Sequence, residues 1–317
     1  FYTNAEGSLV TPEKLPFGKG YSIVEVQAPY GYVLDETPVY FDVTEDNSTE
    51  ESGVTVVKVD KPNMAQKGTI TVEKTGEVFF GVSVIGGVDE SGNELPTIYQ
   101  PQYEKRGLPG AVYEIIAAED IITQDGTVRN HKGEVVDTVT TDATGTAVSR
   151  ELYLGKYEVR EITAPHGMVL NPEPHCVELV YAGQNVAVTE TATSFENERQ
   201  KVEISLVKSI DQNECFGIGT NGEMKNISLG LFAAEEIVSA SGTSIPANGL
   251  VEIISLNEDG TAKIKTDLPF GSYYVQELAT DSHYKLSDTK YPVTFGYAGQ
   301  DTAVVKIAAN DGKAIEN

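Results

Sequence analysis

Three residue types recur along this chain at intervals that suit a reaction between side chains: a lysine, a glutamate and an asparagine. Lys74 lies in "GTITVEKTGE" and Lys208 in "KVEISLVKSID". Glu25, Glu161 and Glu277 each follow a tyrosine by four residues (Tyr21, Tyr157, Tyr273), with Leu15, Leu152 and Leu268 opening a Leu-to-Gly turn upstream. Asn63 and Asn197 each precede one of the lysines by eleven residues, a fixed junction between the end of one unit and the first strand of the next. Asn317 shares the apolar-Glu-Asn ending of Phe195-Glu196-Asn197; Asn310, in "ANDG", competes with it but reads more naturally as a turn.

The parity of these residues is unusual. In a strand, alternate side chains share a face. Tyr157, Val159 and Glu161 therefore share one face, as do Ile70, Val72 and Lys74, and Val202, Ile204, Leu206 and Lys208. One carboxylate at a strand end is ordinary; the same placement in three copies is not. A buried, unpaired ammonium is costly and shifts toward the neutral amine, which is a nucleophile. A Glu kept protonated by its apolar site can polarise a carboxamide and carry a proton from the amine to the leaving ammonia. The expected product is a Lys–Asn isopeptide bond, with Glu161, Glu277 and Glu25 as catalysts. Lys74, Asn197, Lys208, Asn317 and Asn63 are then the crosslinking residues.

The elements that position them read as strands. "TITVEKT", "AVYEII", "VVDTVTT", "CVELVY", "VEISLVK", "LVEIISL", "YPVTF" and "TAVVKI" are short and rich in Val, Ile, Thr and Tyr. Turn clusters separate them: "DESGN", "QDGT", "DATGT", "NEDGT", "ANDG". Only "IYQPQYEKR" and "FAAEEIVSA" leave room for one or two helical turns. The pattern predicts an all-β chain of tandem sandwiches. The repeats place the boundaries: 1–66, the closing part of a domain whose earlier strands and lysine are expected before Phe1; 67–200, complete; and 201–317, complete.

Composition narrows the function classes. Of 317 residues, 48 are acidic and 23 basic, for a formal net charge of −25. Such a chain repels nucleic acid and anionic membrane. No apolar run approaches the roughly 20 residues of a membrane span. Cys176 and Cys215 have no metal or disulfide-framework spacing and read as free thiols. The four histidines are scattered, and no G-x-S-x-G, H-E-x-x-H or glycine-rich phosphate loop occurs. "QDGT" and "NEDGT" lack calcium-loop order and read as hairpin turns. No metal or cofactor is called for, and catalysis is limited to a single self-crosslinking turnover.

The Y-x-x-x-E-x-x-A-P-x-G-Y segment, the K-T-G opening strand and the terminal Asn resemble the CnaB-type (SpaA-like) domains of Gram-positive surface proteins and pilins. The resemblance covers essentially the whole chain. It implies a prealbumin-like or inverse-Ig sandwich with a self-formed Lys–Asn bond catalysed by Glu. Lys74, Glu161 and Asn197 match it throughout. Lys208 and Glu277 match, but Thr280-Asp281 replaces Ala-Pro and the glycine is lost. Glu25 and Asn63 match without a lysine partner.

The function expected is mechanical: a stalk of a cell-surface adhesin or pilus subunit outside a bacterium, wall-anchored through a segment not in this sequence. Its partners would be neighbouring domains of the same chain. The alternative is a ligand-binding module for a host matrix protein, cell-surface ligand or glycan, with the insert Gly81–Gly107, bearing Tyr99 and Tyr103, as candidate surface. Tyrosines packing a long loop are the simpler account of that insert.

Overall fold

A computed structural model describes residues 1–316 except 46–48, 52–53, 89–90 and 92–93. Asn317 and most of the "DESGN" turn lie outside the described residues. The regular elements of the chain are almost all strands, as the alternation predicts. Among the described residues the helical pieces are two single 3-10 turns, Glu223–Asn226 and Ala309–Gly312.

Two main cores form. The first gathers residues between Ile70 and Phe195, including Tyr113, Ile115, Tyr157 and Val159. It lies between two sheets. One sheet has the order Val135–Thr140, Val112–Ala117, Gly155–Thr163, His175–Leu179. The other is organised on the opening strand Lys67–Val88, which pairs antiparallel with Thr146–Val148 and parallel with the closing strand Val188–Asn197. The register sets Lys74 beside Phe195 and Gly76 beside Asn197. The second core gathers residues between Ile204 and Ile315 in the same plan. Its opening strand Lys201–Ser209 pairs parallel with Val304–Ala308 and, at its end, with Ile315–Glu316. Lys208 faces Ile315 there, the register that Lys74 keeps with Phe195.

The described residues of 1–66 form no comparable core. Their regular pairing includes a two-stranded sheet, Gly18–Ile23 with Val39–Val43. Ala28 and Val43 are buried, while Phe1, Tyr2, Val10, Phe17, Val26 and Tyr40 are exposed.

Neither candidate helical stretch is helical. Ile98–Arg106 belongs to the strand Glu94–Gly107, and Pro101 sits opposite Val82 in that ladder. A proline inside a helix would lose a backbone hydrogen bond and clash. In Phe232–Ala240 burial alternates from Ile237 to Ala240, the period of a strand, and Ile237–Val238 pairs with Ser244–Ile245.

The insert is thus a long hairpin, Lys67–Val88 with Glu94–Gly107, reaching along the following segment. Ile98 pairs with Leu250, and Phe79, Val82 and Tyr99 pack on the second core. Tyr103 lies under the Arg199 guanidinium, 3.7 Å from its carbon to the ring centre. Both tyrosines are therefore occupied with packing.

Candidate functional site

Glu161 projects from one sheet of the first sandwich and Lys74 from the other. Tyr157, Val159 and Glu161 are 0%, 0% and 2% exposed, and Lys74 is 1% exposed, so the parity reading of both strands holds. Lys74 Nζ lies 2.8 Å from Glu161 Oε1. The other carboxylate oxygen, Oε2, accepts from Asn197 Nδ2 at 2.9 Å and from the Asn171 amide at 2.8 Å. Asn197 Nδ2 also donates to the Val169 carbonyl at 2.6 Å, and its Oδ1 is buried without a hydrogen bond. One carboxylate therefore touches both the amine and the amide.

The walls of this site are aromatic. The Lys74 ammonium lies 5.8 Å from the ring centres of both Tyr113 and Phe195. Tyr113 adds a hydroxyl donated to Glu161 Oε1 at 3.4 Å. Burial lowers the Lys74 pKa below the ordinary amine value, and the nearby Glu161 only partly restores it. Burial also raises the pKa of Tyr113, which therefore stays a neutral phenol.

The glutamate is held in the same way in all three repeats. Each accepts a backbone N–H from the residue ten positions on: Asp35 to Glu25 at 3.2 Å, Asn171 to Glu161 at 2.8 Å, and Ser287 to Glu277 at 2.8 Å. The tyrosine four residues upstream of Glu161 and of Glu277 donates its hydroxyl to a carbonyl at the preceding turn, Tyr157 to Tyr153 at 2.6 Å and Tyr273 to Pro269 at 2.8 Å.

In the third repeat Lys208 is 1% exposed, and its pKa is lowered first by burial. Its Nζ lies 3.9 Å from Glu277 Oε1 and donates to the Ile315 carbonyl at 3.2 Å. Asn310 is held in a left-handed turn (φ 55°), donating to the Lys313 and Ala314 carbonyls at 3.3 and 3.1 Å. In the first repeat Asn63 Nδ2 donates to Glu25 Oε2 at 2.6 Å and to the Val33 carbonyl at 3.2 Å, the pair of contacts that Asn197 makes. Lys61 there is engaged by Asp35 at 2.6 Å and the Thr37 carbonyl at 2.8 Å. Cys176 and Cys215 are free and exposed.

The family model of the SpaA prealbumin-like fold domain matches residues 1–58, 100–194 and 202–313. Among curated proteins the chain is similar to the trypsin-resistant surface T6 protein of Streptococcus pyogenes, 26% identical over 147 residues, which is 45% of this chain and 26% of that protein. Among solved structures it is similar to the Bacillus anthracis TIE protein, with 23% identity and a TM-score of 0.52, over 93% of this chain and 41% of that one. A shaft pilin, SpaA of Lactobacillus rhamnosus GG, aligns over 77% of this chain and 97% of its own at 11% identity and a TM-score of 0.27. The chain spans about a quarter of the curated relative. No helix among the described residues is long and apolar enough to cross a membrane. The chain belongs to the SpaA prealbumin-like fold domain family, on a match that takes in parts of all three repeats.

Proposed function

We propose that the chain is a load-bearing part of a cell-surface adhesin or pilus subunit outside a Gram-positive cell, tied by autocatalytic Lys–Asn isopeptide bonds and divided into domains at 66/67 and 200/201. The observation that carries this reading is the Glu161 carboxylate bridging the two reactants, Oε1 at Lys74 and Oε2 at Asn197.

In the reaction the neutral Lys74 Nζ attacks Cγ of Asn197. An Nζ–Cγ bond forms, the Cγ–Nδ2 bond breaks, and ammonia leaves. Glu161 takes the proton released by the amine and delivers it to the departing Nδ2. The reactants are held in contact beforehand, so little orientation is left to chance. A buried, ionisable amine becomes an amide that cannot be charged, which removes the burial penalty that lowers the Lys74 pKa.

The bond suits a stalk because of where it lies. Tension enters a domain near its opening strand and leaves near its closing strand. These strands are parallel neighbours, and the tie joins them near Lys74 and Asn197. Load then bypasses the rest of the sandwich. Surface relatives such as the T6 protein support this location. Intact mass tests the reading: the protein should be lighter by one ammonia per bond, with Lys74 and Asn197 in one branched tryptic peptide. Separate, unmodified peptides for both would overturn it.

A further inference from the structure

Glu161 faces its own core, but the Ala-Pro-x-Gly turns that begin three residues after Glu25 and Glu161 make their contacts with the segment that follows. In Ala164-Pro165-His166-Gly167 the Ala164 N–H donates to Gln300 Oε1 at 2.9 Å, and the Gly167 carbonyl accepts from the Gln200 amide at 2.8 Å. The His166 and Tyr297 rings are centred 4.6 Å apart. Gly167 has φ +86°, and a Cβ there would lie 2.9 Å from Phe270.

Ala28-Pro29-Tyr30-Gly31 repeats the set with residues of the second repeat. Ala28 donates to Gln184 Oε1 at 2.9 Å, and the Gly31 carbonyl accepts from the Gln66 amide at 2.8 Å. The Tyr30 and Tyr181 rings are centred 4.6 Å apart. Gly31 has φ +84°, and a Cβ would lie 3.1 Å from Gln124.

The opposing surface is also a repeated sequence, Tyr181-Ala182-Gly183-Gln184 and Tyr297-Ala298-Gly299-Gln300. Each loop closes around a linker glutamine three residues past the closing Asn. Gln66 Oε1 accepts from the Ala182 amide at 2.8 Å, and its Nε2 donates to the Gly183 carbonyl at 2.9 Å and to that of Val186. Gln200 Oε1 accepts from the Ala298 amide at 2.8 Å, and its Nε2 donates to the Gly299 and Thr302 carbonyls at 3.1 and 2.6 Å. Both glutamines are 1% exposed. Buried, directional hydrogen bonds fix rotation as well as distance, and losing one partner leaves others unpaired.

The third repeat supplies a contrast. Thr280-Asp281-Ser282-His283 occupies the same place, and Asp281 ties the turn to its own repeat, accepting from Asn226 Nδ2 at 2.6 Å and the His283 amide at 3.1 Å. We propose that the Ala-Pro-x-Gly turn is a docking socket whose occupant is the Tyr-Ala-Gly-Gln loop of the next domain, keyed by the linker glutamine. One box then serves two purposes: its Glu faces the internal tie, and its turn sets the angle of the domain that follows. This does not depend on the isopeptide reaction.

Hydrogen exchange read by mass spectrometry on the full chain tests it, with Gln66→Ala and Gln200→Ala as variants. In the wild type, residues 182–186 and 298–302 should be protected. Gln200→Ala should speed exchange at 298–302 and also at Ala164–Leu170 across the joint, leaving 182–186 unchanged. Gln66→Ala should do the reverse, at 182–186 and Ala28–Leu34. Each variant serves as the other's folding control, and an unchanged ammonia loss relative to each variant's sequence mass keeps failure of the joint distinct from failure of the bond. Fast exchange of both loops in the wild type, or deprotection confined to the loop with no change across the joint, would overturn the proposal.

Discussion

Lys74 and Asn197, far apart in sequence, meet at the two oxygens of one buried carboxylate, Glu161. Their strands run parallel and in register, so the contact belongs to the sandwich itself and not to a mobile loop. The predictions below follow from that arrangement.

Glu161→Ala should abolish the second-repeat bond while leaving the strands in place. Two losses add. The unreacted Lys74 amine stays buried without a partner, which is itself destabilising. The tie closing a loop of roughly 120 residues is also missing, worth about 4–5 kcal/mol by analogy with disulfides. Intact mass and denaturant midpoint read the two together; a variant with the wild-type ammonia loss and wild-type midpoint removes Glu161 from the reaction.

Without the reaction, Lys74 should make stability depend on pH. In Asn197→Ala the amine cannot be consumed. Its folded-state pKa lies below the ordinary 10.5 because burial disfavours the charged form. Between the two values the unfolded chain binds more protons, so stability rises with pH across that window. Adding Lys74→Met should flatten this rise. Equal slopes in the single and double variants would show that Lys74 titrates normally.

In the third repeat the bond should form at position 317 and not at Asn310. Ile315 stands beside Lys208 as Phe195 stands beside Lys74, and the Asn follows each by two residues. Asn310 is spent on a turn. Asn310→Ala should keep the full ammonia loss, whereas Asn317→Ala should lose one equivalent.

Residues 1–45 should exchange amide hydrogens faster than either core. They bury few apolar side chains, and the ladder from Gly18 to Val43 is two strands wide, below what is stable alone. Slow exchange across Tyr21–Phe41, matching that of Gly155–Thr163, would contradict this.

The strands and the inward carboxylates were legible in the sequence because they are local. A period of two decides which face a side chain takes, and Tyr157, Val159 and Glu161 could be placed without knowing what lies opposite. The eleven-residue junction and the triplicate Glu likewise named Lys74, Glu161 and Asn197 as a set, though not that Glu161 divides its two oxygens between them.

Tertiary structure decided the rest where partners are distant in the chain. The stretch Ile98–Arg106 carries no clear period of its own, and its strand conformation comes from pairing with the extended opening strand and from packing on the following core. The Ala-Pro-x-Gly turns show the same limit. The repeated Tyr-Ala-Gly-Gln was present as a signal, but the Ala164 and Gln300 contact joins residues 136 apart. Sequence periodicity reports which way a side chain faces within its own strand. Only the packing of one repeat on the next determines what waits on the other side.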